Sequence, residues 1–457
     1  MTTHETTALP TRQMQPIRND NLLISFTTEF LRIWDTAGSR AKPAAFWRPT
    51  PPADVLPGYF PLGDVAIDDH DNITDRHAVA VVCEAATPSA DPAKGSALRR
   101  PDDYELIWQD TGSGSKKDGA IWRPIPPQGY VALGSVCSDG HSKPSLNAVR
   151  CVRADLLIAS GLAESVWTDK GSGARQSIST WSAVPPSAPA DEIHLAPGTF
   201  VGLKSYSKPA NFTIYSLRIP IEIDVNARPA VPVLADVTPP DLRVPEQPAY
   251  SARLPWFIVK DPQLTRRQQL SQSPEYLLQR TDHYQLVGHC HNTEDSNKTV
   301  RWVAPRLQQN DRLRLFTSAT LIEFGAQWQS NLSQPFLFSA RLNNDFTQCE
   351  MHSNEWLNPA PIEVAAIVAS NSSMAVYLTQ SDYKLLRADG TQIGSVVSYT
   401  DGKNLHFSVY TPPQPNATVL PAEAAHMQST TVEDETDNEA AALPTSTELP
   451  VTTDSFP

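Results

Sequence analysis

The chain has 457 residues, 41 of them proline, with a formal net charge of −13 and five cysteines. At about 150 residues per domain the length allows two or three domains, each able to bury a core. The acidic balance argues against nucleic acid as a partner, because phosphate binding needs a dense Lys/Arg surface. Cys83, Cys137, Cys151, Cys290 and Cys349 show no CxxC spacing, which excludes a zinc ribbon or a redox motif. Low charge with abundant Pro, Thr, Ser, Asn and Gln predicts an all-β fold with many turns. Residues 1–20 are polar and read as a flexible N-terminus without an apolar signal core. No run approaches the ~18 apolar residues of a spanning helix. The expectation is a soluble protein, released or secreted without a recognisable signal peptide, that acts at a target-cell membrane.

Residues 21–225 contain one pattern three times. Phe30-Leu-Arg-Ile-Trp34 leads to Gly38 and then to Phe46-Trp47-Arg48-Pro49-Thr-Pro51-Pro52. Tyr104-Glu-Leu-Ile-Trp108 leads to Gly112 and then to Ile121-Trp122-Arg123-Pro124-Ile-Pro126-Pro127. Val166-Trp167 leads to Gly171 and then to Trp181-Ser182, with Pro185-Pro186. Each Gly stands four residues after the first Trp, and the second Trp follows 13, 14 and 14 residues after the first. A strand, a Gly/Ser turn and a second strand ended by prolines make a β-meander. Three such units predict three pseudo-symmetric sheets around one axis, a β-prism. Repeats one and two continue as Gly58-Tyr-Phe-Pro-Leu62-Gly63 and Gly129-Tyr-Val-Ala-Leu133-Gly134, with a loose echo at Gly198-Thr-Phe-Val. The Trp-Arg-Pro-x-Pro-Pro and Gly-Tyr-x-x-Leu-Gly motifs resemble the vacuolar protein sorting-associated protein 62 family. That resemblance implies a β-prism-like domain and carries no enzymatic chemistry.

A Pro-rich connector spans 226–253, followed by a module at 254–413. Leu264 to Gln279 is expected to hold one helix, and polar alternating strands follow. The Leu254-Pro-Trp-Phe-Ile-Val-Lys260-Asp261-Pro262 opening and the Tyr383-Lys-Leu-Leu-Arg387-Ala-Asp389-Gly390 hairpin are similar to an aerolysin-like pore-forming module. This resemblance implies an elongated antiparallel β module. Alternation over Arg312 to Phe324 and over Leu332 to Phe346 suggests a membrane-inserting hairpin with its tip around Phe324 to Trp328. Its lipid-facing candidates are Leu313, Leu315, Leu321, Phe324, Trp328, Phe336, Phe338 and Leu342. The same alternation also fits a half-buried sheet of a soluble domain. The tail, 414–457, carries eight Asp/Glu and no Lys or Arg, so disorder is expected.

For ligand binding, the candidates are the turn acids Asp35, Asp110 and Asp169 and the tryptophans Trp34, Trp108 and Trp167. Aromatic faces can stack on sugar rings, although recurrence in every repeat is also what a packed core produces. His283, His289 and His291 share strand parity but lack a third ligand at a signature spacing, so no metal or other cofactor is expected. No Gly-x-Ser-x-Gly elbow, His-Glu-x-x-His or phosphate loop occurs, so no enzyme is expected. The reading is a pore-forming, toxin-like protein of insecticidal or cytolytic kind. Its partners would be a cell-surface glycan or lipid, the target membrane, and further copies of itself on assembly. The alternative is a carbohydrate- or lipid-binding trafficking adaptor that perforates nothing.

Overall fold

A computed structural model describes residues 13–304, 310–324, 327–331, 336–347 and 362–413. The expected disordered tail at 414–457, most of the N-terminal segment, Cys349 and part of the proposed hairpin lie outside them. The described part is all-β apart from short helices.

Each repeat folds into its own three-stranded antiparallel sheet. The strands are Phe30–Asp35, Ala45–Pro49 and Val65–Ile67 in the first, and Asp103–Gln109, Gly119–Ile125 and Val136–Asp139 in the second. The third uses Leu157–Thr168, Ser179–Val184 and Val201–Leu203. Beside the first Trp of every repeat the pairing register shifts, leaving Ile33, Ile107 and Val166 as the extra residue. A bulge increases local twist and re-aims the next side chain. Here it turns Trp34, Trp108 and Trp167 into one central cluster with Phe46, Ile121 and Phe200. The second tryptophans, Trp47, Trp122 and Trp181, each fill a separate small core inside their own repeat.

Three segments, one from each repeat, also close a backbone ring. Asp64 N–H donates to Ser135 O (2.9 Å), Ser135 N–H to Phe200 O (2.7 Å), and Phe200 N–H to Asp64 O (3.2 Å). This contact explains the Leu-Gly motif. A Cβ on Gly63 would stand 2.7 Å from Gly134 Cα, and one on Gly134 would stand 2.7 Å from Thr199 Cβ. Thr199-Phe200-Val201 therefore occupies the place of Gly63-Asp64-Val65, and the loose echo in the third repeat is a true equivalent.

The third sheet is larger than a prism face requires. Its seven strands run Val201–Leu203, Ser179–Val184, Leu157–Thr168, Ile214–Pro220, Glu192–Leu195, Phe338–Arg341 and Trp328–Gln329. The pairing of Leu195 with Phe338 through Glu192 with Arg341 stitches the second half of the chain to the first. Over this seam Phe26, Trp256, Phe257, Phe336 and Phe338 pack edge-to-face with centroids 5.1–6.2 Å apart. Up to Pro412 the chain holds together as one unit.

The second half is built on a five-stranded sheet whose three long strands are Glu275–Asn292, Ser372–Arg387 and Gln392–Tyr410, of 18, 16 and 19 residues. At about 3.3 Å per residue each reaches roughly 50–60 Å, far beyond an ordinary strand. On one face lies a two-stranded ribbon, Lys298–Ala304 paired with Ile362–Val368. On another part of the sheet Leu234 of the connector packs with Ala375 and Tyr377, and its N–H donates to Ser408 Oγ (2.8 Å).

Two local expectations are corrected. The helix expected over 264–279 covers only Arg266–Gln272, started by a Thr265/Gln268 capping box, and a strand begins at Glu275. The segment read as an alternating strand from Arg312 is the helix Asn310–Thr320. Leu313, Phe316 and Thr320 lie at i, i+3 and i+7, and that helical stripe is the side turned to the core, half-buried at Leu313 and buried at Phe316 and Thr320.

Candidate functional site

The bulges deliver the three turns that follow Trp34, Trp108 and Trp167 to one end of the pseudo-threefold axis. Each turn reads Thr36-Ala-Gly38-Ser39, Asp110-Thr-Gly112-Ser113 or Asp169-Lys-Gly171-Ser172. The glycines sit at φ 92°, 88° and 88°, a left-handed conformation that side chains resist. The turns interlock in a ring. Trp34 Nε1 donates to Lys117 O (2.8 Å), Trp108 Nε1 to Gln176 O (2.9 Å) and Trp167 Nε1 to Lys42 O (2.9 Å). Every repeat thus bonds a carbonyl of another repeat, and the closed cycle fixes the three loops relative to one another.

Within this ring the structure brings together five of the six candidate residues. The Trp34 ring lies tilted 5.5 Å from Trp108 and edge-to-face 6.3 Å from Trp167. All three indoles are buried, so they form core and offer no open face to a sugar ring. Asp110 and Asp169 are 1 % and 2 % exposed and turn inward, contrary to their expected place on exposed loops. Asp169 Oδ1 accepts the Ile178 amide (2.9 Å), and Asp110 Oδ2 accepts Ser113 Oγ (2.6 Å). Burial pushes the Asp169 carboxyl above its ordinary range, against the pull of the Ile178 amide.

Asp35 does not join them. Its carboxylate is partly exposed, pairs with Arg32 (3.4 Å) and accepts the Ala37 amide (3.0 Å). Thr36 takes the equivalent place, and its Oγ1 accepts the Ala44 amide (2.8 Å) as Asp169 accepts Ile178. The serines Ser39, Ser113 and Ser172 complete the ring; each caps its own turn by accepting the amide of Ala41, Ser115 or Ala174 at 3.0–3.2 Å. They were missed, although their signal was available: each stands five residues after its tryptophan.

The hairpin candidates are dispersed. Trp328, Phe336, Phe338 and Leu342 are buried in the main core, with Leu313 and Phe324 packed against it. Leu315 is exposed on the helix, and Leu321 follows it in a left-handed conformation at φ 65°. The segment around them is pinned. Arg280, wholly buried, pairs with Asp282 (Nε to Oδ1 2.7 Å), lies over the Tyr250 ring at 4.5 Å, and donates to the carbonyls of Asp345 and Phe346. The histidines do not converge either. His283 lies near Asp382 (3.8 Å) and His291 Nδ1 bonds Ser373 Oγ (2.7 Å), and among the described residues no group suited to a metal occurs.

Two partial likenesses are found among the solved structures that match this chain. The crystal structure of GNIP1Aa from Chromobacterium piscinae is 30% identical over 42% of this chain and 34% of its own, with a TM-score of 0.34. The chain thus spans about a third of that protein's length. The crystal structure of Cry35Ab1 is 12% identical over 86% of this chain and 91% of its own, with a TM-score of 0.31. No curated protein matches the sequence at a significant level. The family model for vacuolar protein sorting-associated protein 62 matches residues 14–274, which contain all three tryptophan repeats and the closed ring they build. The chain belongs to the vacuolar protein sorting-associated protein 62 family.

Proposed function

We propose that this protein is a pore-forming, toxin-like molecule: its three-repeat prism attaches to a cell surface, copies assemble, and a β ribbon enters the bilayer. The observation that carries this reading is the long-stranded sheet with a separate two-stranded ribbon on one face. An isolated hairpin leaves backbone groups unpaired in lipid, so assembly into a closed barrel must accompany insertion.

The ribbon of Lys298–Ala304 and Ile362–Val368 suits this role better than residues 313–342. Withdrawing Trp328, Phe336, Phe338 and Leu342 from the core would forfeit about 1.5–3 kcal/mol each. The ribbon has only Ala304, Val364 and Val368 fully buried. Its pairing puts Val300, Trp302, Ala304, Ile362, Val364, Ala366 and Val368 on one side with Lys298, and Thr299, Arg301 and Glu363 on the other with Val303, Ala365 and Ile367. The first side is apolar but for the terminal Lys298, as the lipid face of a barrel strand must be, and the second is mixed. Trp302 is its main anchor, seated over Gly288, where a Cβ would fall 2.2 Å from Trp302 Cγ.

The test is leakage of an entrapped dye from liposomes by a Gly288→Cys/Trp302→Cys variant with Cys290→Ser. A Cβ on residue 288 would lie 2.2 Å from Trp302 Cγ, one bond from the Trp302 Cβ, so the two Cβ atoms are close enough for a disulfide. Oxidation should abolish leakage and leave surface binding intact, and reduction should restore leakage. Equal leakage in both states would eliminate the ribbon as the inserting element. A second reading, a rigid adaptor that perforates nothing, draws support from the Leu195–Phe338 seam that joins the halves. It predicts binding with no leakage from any vesicle.

A further inference from the structure

We infer that the loop end of the prism is a docking face for an anionic lipid bilayer. The inference rests on the surface-attachment step proposed above and names the chemistry of that surface. The three interlocked turns carry six exposed basic side chains, two per repeat: Arg40 and Lys42, Lys116 and Lys117, Lys170 and Arg175. Their backbones are held by the same ring that closes the site. Lys42 and Lys117 lend their carbonyls to Trp167 and Trp34, while the Lys116 amide bonds Ala37 O (2.8 Å) and the Arg175 amide bonds Thr111 O (3.3 Å).

The acids at this end offset only part of that charge. Asp110 and Asp169 point inward and are buried, and Asp35 is paired with Arg32. Asp118 is exposed 3.8 Å from His141, Asp139 reaches Lys117 at 3.9 Å, and exposed Asp68, Asp69 and Asp71, the last paired with Arg76 (3.6 Å), flank His70, whose Nε2 lies 3.0 Å from Thr36 Oγ1. A cationic crown therefore stands at one end of a chain whose net charge is −13. Composition alone opposes an anionic partner; the fold counters that locally by turning Asp110 and Asp169 inward and six bases outward around one axis. A ring of flexible, point-charged side chains on polar turns, with the tryptophans sealed beneath, matches a plane of headgroups better than a single sugar pocket. Long-range attraction to anionic lipid falls away within a Debye length, so the contact must be salt-sensitive.

The experiment is co-sedimentation of the full chain with vesicles of phosphatidylcholine alone or with about 30 % phosphatidylserine, a composition that gives the surface a substantial negative potential. Binding is expected to the anionic vesicles only, and to be lost on raising salt to about 0.5 M. Each neutralised base should weaken binding about fivefold, so Lys116→Gln/Lys117→Gln should weaken it about 25-fold. Arg243→Gln, an exposed base of the connector, should leave it unchanged. Unchanged binding by the double variant, equal binding to neutral vesicles, or binding to glycans alone would each overturn the inference. Leakage is scored in parallel. Crown-dependent binding without leakage sinks only the pore reading, and leakage from neutral vesicles without crown dependence sinks only this one.

Discussion

Arg48 and Asp64 form a buried pair that only the first repeat possesses, and removing one partner tests how the prism is held together. Arg48 donates through Nε and Nη2 to the two Asp64 oxygens, both at 2.9 Å, and through Nη2 to Cys137 O at 2.6 Å. Asp64, fully buried, also accepts the Cys137 amide at 2.6 Å, so the pair clamps repeat one onto repeat two. Burial pushes the Asp64 carboxyl up, and the Arg48 charge pulls it back. Substitution Arg48→Leu leaves a buried carboxylate with one amide donor, a loss of about 3–5 kcal/mol by the usual cost of breaking a buried pair. The second repeat supplies the remedy. Ser135 stands where Asp64 stands, so Arg48→Leu/Asp64→Ser removes the stranded charge and should lose only about 1–2 kcal/mol. Urea unfolding followed by fluorescence of the central tryptophans measures both. A single variant within about 1 kcal/mol of wild type, or a double variant less stable than the single, would refute the reasoning.

Three further outcomes follow from individual contacts. Gly134→Ala should cost about 1–3 kcal/mol by overpacking against Thr199, and Thr199→Gly should recover part of the loss; thermal melts of the pair decide it. Asp20 accepts Ser89 Oγ (2.6 Å), the Ala90 amide (3.1 Å) and Arg153 Nη2 (2.7 Å), which hold its carboxyl down to about 2, with the Ser89 bond the largest influence. A lowered carboxyl stabilises the fold above its unfolded value, near 4, and that contribution fades as pH falls through 2. Asp20→Asn should therefore cost about 1–2 kcal/mol at pH 6 and progressively less toward pH 2 in urea titrations. Gly288→Ala drives a methyl into the Trp302 ring and should loosen the ribbon, read as faster amide exchange over Lys298–Ala304 with no change in the prism.

The prism was legible because its chemistry is periodic. A tryptophan, a glycine four residues on and a proline-ended second strand impose the same meander three times, and the core follows from those positions alone. The candidate site was read less well. Asp35 is the first repeat's turn acid but stands one residue short of the place of Asp110 and Asp169, and distance from Trp34 selects Thr36 instead. Burial of Asp110 and Asp169 was invisible because Gly/Ser turns are ordinarily exposed, and only the interlocking of three of them seals the axis. In the second half, Leu313, Leu315 and Leu321 fit a strand's alternation while Leu313, Phe316 and Thr320 fit a helix. Contact of Phe316 with Phe324 (5.4 Å), itself 4.6 Å from Tyr383, stabilises the helical choice, and local sequence does not carry that information. The seam between Glu192–Leu195 and Phe338–Arg341 joins segments about 150 residues apart, so neither strand announces its partner.

Hydrogen exchange followed by mass spectrometry, on the full chain with and without anionic vesicles, tests the release of the ribbon most directly. Lys298–Ala304 and Ile362–Val368 should change their exchange on membranes, while Glu192–Leu195 and Phe338–Arg341 stay protected. Ribbon amides that remain as in solution while the protein is membrane-bound would contradict it.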